Sequence, residues 1–118
     1  MRKLEKIEVG LIKGRHDMPV DNYIFEKVED MFDYNGIREH IVHFINTEVG
    51  VKYAEDGIVY TSKGLKQLVV YVTGLTAVAC EVVDICNSMG VPLTLMHYDR
   101  DTGEYRAQVL STAESVWY

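Results

Sequence analysis

The stretch from residue 67 to residue 98 constrains this chain more than any other. Gln67-Leu68-Val69-Val70-Tyr71-Val72-Thr73 is a continuous apolar, β-branched run of the length expected for a strand covered on both faces. After Thr73-Gly74 the period turns helical, with Leu75, Val78, Ala79, Val82, Val83, Cys86 and Met89 on one stripe, and Gly90-Val91-Pro92 ends it. Residues 93–98 then read as a second strand. Strand, helix and strand in succession make a βαβ unit, whose two strands run parallel and whose crossover is right-handed.

The remaining elements are arranged around that unit. Residues 6–13 alternate, with Ile7, Val9 and Leu11 opposite Lys6, Glu8 and Gly10, the pattern of a strand with one buried face. Gly14-Arg15-His16-Asp17-Met18-Pro19 breaks it with a loop, and residues 20–28 are expected to return as an antiparallel strand. Asp33 or Asn35 is placed to cap a helix carrying Ile37, Ile41, Phe44, Ile45 and Val49, which Gly50 stops. Residues 51–66 hold a weak strand signal around Gly57-Ile58-Val59-Tyr60, either a hairpin or an edge. Residues 99–104 read as a hairpin turn with Gly103 at positive φ, followed by a last strand over residues 105–110. The expectation is an α/β fold: a mixed β-sheet with an N-terminal antiparallel pair, two main helices and a C-terminal β-α-β-hairpin unit. At 118 residues it forms one domain, 1–118, and 47% hydrophobic content supplies a core.

Charge and composition exclude several classes. With 12 basic against 18 acidic side chains the net charge is −6, which opposes duplex nucleic acid but not a small anion. No apolar run reaches the ~18 residues of a membrane span, and the charged opening is unlike a signal peptide, so a cytoplasmic protein is expected. Cys80 and Cys86 are separated by ~9 Å along a helix, which places them as reduced thiols packed as small hydrophobes.

The junction Val72-Thr73-Gly74-Leu75-Thr76 is the main candidate for chemistry. A helix N-terminus leaves amides unpaired, and a glycine lets an anion approach closely. Ligands of open α/β sheets also collect at the carboxyl ends of parallel strands, which brings His97, Tyr98, Asp99 and Arg100 beside Thr73 and Gly74. Arg15, Arg100 and Arg106 could converge there on a phosphate. The competing reading has Thr73 or Thr76 merely capping the helix, and the arginines paired with Asp99, Asp101 or Glu104 on the surface.

Other chemistries lack a signature. His40 and His43 stand three apart on a helix without a third metal ligand, and Asp99-Arg100-Asp101-Thr102-Gly103 lacks the acidic residue that closes a calcium loop. No nucleophile elbow surrounds Ser62, Ser88, Ser111 or Ser115, and no P-loop or dinucleotide fingerprint is present, so no cofactor is expected. Catalysis by a single base acting on a bound nucleotide stays open. The second helix adds Ala77, Cys80 and Ile85 to its stripe, an arc wider than one sheet face requires. That arc and the Val116-Trp117-Tyr118 tail suggest a second copy of the chain.

The segments Gly14-Arg15-His16-Asp17-Met18-Pro19-Val20-Asp21, Tyr71-Val72-Thr73-Gly74-Leu75-Thr76 and residues 95–105, Leu95-Met96-His97-Tyr98-Asp99-Arg100-Asp101-Thr102-Gly103-Glu104-Tyr105, resemble small phage and prophage proteins, in particular the Thoeris anti-defence sponge family. The resemblance implies a homo-oligomer in the host cytoplasm that sequesters a cyclic ADP-ribose signal, or another cyclic nucleotide, without cleaving it. Arg100 would then contact phosphate; the family's adenine-stacking aromatic has no match in this sequence, and Tyr98, Tyr71 and Phe25 are candidates by their chemistry alone. Two alternatives stand beside it, a ring nuclease that cuts a cyclic oligonucleotide and a protein-binding inhibitor of a host enzyme.

Overall fold

In the computed structural model, the described residues are 4–14, 18–60, 65–72 and 74–110. Strand β1 (Lys6–Ile12) follows the alternation of its sequence: Val9 and Leu11 enter the core and Ile7 packs against it. Strand β2 (Tyr23–Phe25) is short. Helix α1 (Tyr34–Phe44) starts at Asp33, whose carboxylate accepts the Gly36 amide at 3.1 Å, and continues through a π-helical turn (Ile45–Val49) that Gly50 ends at φ 85°. Strands β3 (Val51–Ala54) and β4 (Gly57–Tyr60) form a separate antiparallel hairpin, resolving residues 51–66 in favour of a hairpin. Strand β5 (Gln67–Tyr71), helix α2 (Thr76–Met89) and strand β6 (Leu93–Asp99) are the βαβ unit, and β7 (Glu104–Val109) returns antiparallel to β6.

The main sheet has the order β2-β1-β5-β6-β7. β5 lies at its centre, and Leu68, Val69, Val70 and Tyr71 are all buried, as a strand covered on both faces should be. The N-terminal pair differs from expectation. β1 and β2 run parallel, with Gly10 opposite Tyr23 and Ile12 opposite Phe25, where an antiparallel return was expected. Met18, which lies between them in sequence, stands over Gly10, on the face turned away from Val9 and Leu11.

Both helices pack on the other face and touch each other. Ile37, Ile41 and Ile45 of the first helical segment meet Val78, Val82, Ile85 and Met89 of α2 above Leu11, Leu68, Val70 and Leu93. Arg38 ties the helices together at the surface, donating to Glu81 and, at 2.9 Å, to Asp84. Cys86 is buried as expected, whereas Cys80 is exposed, because α2 leaves one flank beyond the core. No described helix is long and apolar enough to cross a membrane. The tail ending in Val116-Trp117-Tyr118, Ser62, Ser111, Ser115 and His16 lie outside the described residues.

Candidate functional site

Four strands, β1, β2, β5 and β6, run in the same direction and therefore end at one edge of the sheet. The chain leaves β1 towards β2 on one side and leaves β5 towards β6 on the other, so the strand order reverses between β1 and β5. Such a reversal opens a crevice at the carboxyl ends, where the connections diverge. Gly14 and Gly74 stand on its two lips, both at positive φ (89° and 79°), and a Cβ on either would meet nothing within 4 Å.

Below that edge a groove of about 630 Å³ runs between α2 and the β6–β7 side of the sheet. Leu93, Leu95 and Leu110 form its floor, and Ala79, Cys80, Val83 and Asn87 its helical wall. At one end lie Val72, Gly74, Leu75 and Thr76, and His97 stands at the floor's margin. The sheet is wider than the helical layer: Leu93 and Leu95 of β6 are buried beneath it, while β7 is largely exposed and Leu110 beyond it is 41% exposed. The wide apolar arc of α2 is thus divided, one side entering the core and the other facing this space. That arc was the sequence signal for Ala79, Cys80 and Val83; Leu110 carried none, since strand pattern alone does not tell which part of a face a helix leaves bare.

The expected site residues separate into groups. Gly74, Leu75, Thr76 and His97 are brought together in the groove. Leu75 is the N-cap of α2 and no described side chain caps that end; Thr76 is the first helical residue and does not act as the cap. The Thr76 amide is taken by the Gly74 carbonyl at 3.0 Å, and the partial positive charge of the helix start lies at this end of the groove. Asp99 and Arg106 lie on the groove side by strand alternation, since Arg106 is opposite His97 in the ladder. They pair with each other at 2.7 Å, and the His97 Nε2–H donates to Gln108 Oε1 at 2.7 Å. The Asp101 amide, followed by the Arg106 guanidinium and Thr102, holds the Asp99 carboxyl below its ordinary range despite some burial. Arg100 is exposed in the turn between β6 and β7 and does not line the groove. Tyr98 is on the opposite sheet face. Arg15 and Thr73 lie outside the described residues.

On that opposite face Tyr98 joins a cluster of tyrosines. The ring of Tyr105 stands edge-on to Tyr71 at 4.9 Å and to Tyr98 at 5.4 Å. Burial raises the Tyr71 phenol, with Glu8 adding to the effect, and burial raises Tyr105, with Tyr98, Tyr71 and Tyr23 as neighbours. These phenols stay protonated at neutral pH, so the cluster acts as packing and hydrogen-bonding surface. Phe25 is also engaged elsewhere: its ring stacks on His40 at 4.3 Å, and the His40 Nε2–H donates to the Ile24 carbonyl at 2.5 Å. His40 is accounted for by that contact. Among the described residues no group of three or more His, Cys, Asp or Glu is placed to hold a metal ion.

No protein-family model, curated protein or solved structure matches this chain.

Proposed function

We propose that the protein captures a small cyclic nucleotide of the ADP-ribose type and withholds it intact, the action of an anti-defence sponge carried by a phage or prophage in its host's cytoplasm. The observation that carries this reading is the groove, of a volume suited to a nucleotide-sized ligand, whose one end meets the first turn of α2, where no described side chain caps the helix. The phosphates sit at the positive start of α2 beside Gly74, and an apolar ring lies between Val83 and Leu95. His97 and Arg106 border the site and fix orientation by hydrogen bonds.

Magnitudes limit how the ligand is held. Nanomolar capture needs about −12 kcal/mol, while a helix terminus contributes roughly 0.3–1 kcal/mol at an exposed site. Most of the affinity then comes from removing ring surface from water along the leucine floor. Arg100, exposed in its turn, has no part in this account.

The test is thermal unfolding with cyclic ADP-ribose, followed by chromatography of the ligand released on heating. At a hundredfold excess over Kd the native state gains about 2.7 kcal/mol, read as a raised melting temperature. Ala79→Trp, which fills the groove, abolishes the gain, and the ligand is recovered unchanged. A melting temperature that does not respond overturns the reading; linear products replace it with a nuclease.

A further inference from the structure

The wall that α2 gives to the groove is one stripe of the helix, on which Thr76, Cys80, Val83 and Asn87 follow one another at spacings of three and four residues. Its middle is apolar and its ends are polar. Thr76 and Asn87 stand about 16 Å apart along the helix axis, so the Asn87 end is separate from the end at Gly74 where the phosphates sit. Two polar side chains belong to that second end, Asp84 and Asn87. The Asp84 carboxylate is engaged, since Arg38 donates to it at 2.9 Å. The Asn87 amide has no hydrogen-bond partner among the described residues. Side chains of a helix lean towards its N-terminus, which carries that amide towards Val83, one turn or about 6 Å away.

We infer that Asn87 selects the base of the ligand: its amide takes the N6–H and N7 edge of an adenine whose ring lies on Val83. This rests on the nucleotide reading of the groove and adds to it which base is accepted and by which residue. A carboxamide sets one acceptor, Oδ1, beside one donor, Nδ2–H, the complement of adenine's N6–H donor and N7 acceptor. Guanine and hypoxanthine offer O6 and N7, two acceptors, so that Oδ1 would face a lone pair. Uracil and cytosine have no N7 at all. Asp84 cannot make the same choice, because a carboxylate only accepts and Arg38 already holds it. The ring closure of cyclic ADP-ribose is made through N1 and leaves the N6–N7 edge uncovered.

Calorimetric titration of the full chain with cyclic ADP-ribose and with its N1-linked inosine counterpart tests the inference, because the two ligands differ only in the exocyclic group at C6. Wild type is expected to hold the adenine compound about tenfold more tightly. Asn87→Ala replaces an exposed helical residue by a better helix former and so keeps the fold, checked by far-ultraviolet circular dichroism. It is expected to bind both compounds, with affinities within about twofold of each other. Equal affinities in the wild type overturn the inference alone, as does a tenfold preference that survives in Asn87→Ala or a folded Asn87→Ala that binds neither compound. A wild-type chain that binds neither compound overturns the nucleotide reading together with it.

Discussion

Gly10 is the point at which β1 admits an aromatic ring against its backbone. A Cβ there would stand 2.5 Å from Tyr23 Cδ1 and 2.9 Å from Met18 Sδ, closer than any real side chain tolerates. Gly10→Ala is therefore expected to destabilise the protein by about 1–3 kcal/mol, the range for overpacking a filled site, as measured by urea unfolding. An unchanged midpoint would mean that the Tyr23 ring does not rest on β1. The alternation in β1 put Gly10 on the polar side and gave no hint of this contact. It depends on β2 running parallel, and nothing local to residues 6–13 encodes the direction of a partner strand.

Among the elements, those with a long period were legible in the sequence. The stripe of α2, its termination at Gly90, the buried run of β5 and the hairpin turn at Gly103 all follow from spacing and glycine placement. The N-terminal pair was not, because a ten-residue connection is compatible with either a hairpin or a crossing strap. The β6–β7 hairpin also carries a pH dependence. Its turn is fastened by Asp99, whose carboxylate accepts the Asp101 amide at 2.9 Å and the Arg106 guanidinium at 2.7 Å. Because folding lowers this carboxyl, its contribution is complete above the ordinary carboxylate pKa of about 3.9 and fades as pH falls through the lower folded value. Wild type is expected to melt above Asp99→Asn at neutral pH, with the two converging towards about pH 2. A gap of constant size across that range would remove Asp99 as the cause.

At the scale of the whole molecule the two cysteines report different things. Cys86 is sealed between α2 and the sheet, where burial pushes its thiol up to about 12, while Cys80 is open on the groove wall. A thiol reagent should modify one site at once and the second only as fast as the core opens, so that Cys86 labelling tracks global unfolding. Simultaneous labelling of both would show that α2 separates from the sheet on its own. The groove itself was only half visible beforehand. Its end at Gly74 is a local motif, but its floor is what remains when a five-stranded sheet is wider than its helical layer, a mismatch of areas that no single segment records.

The common direction of β1, β2, β5 and β6 has one more effect. The described turns leaving their carboxyl ends gather at one rim of the sheet, whereas residues 90–92 join α2 to β6 at the far rim. Substitutions in the carboxyl-end turns can thus be made without disturbing the joints at the opposite rim.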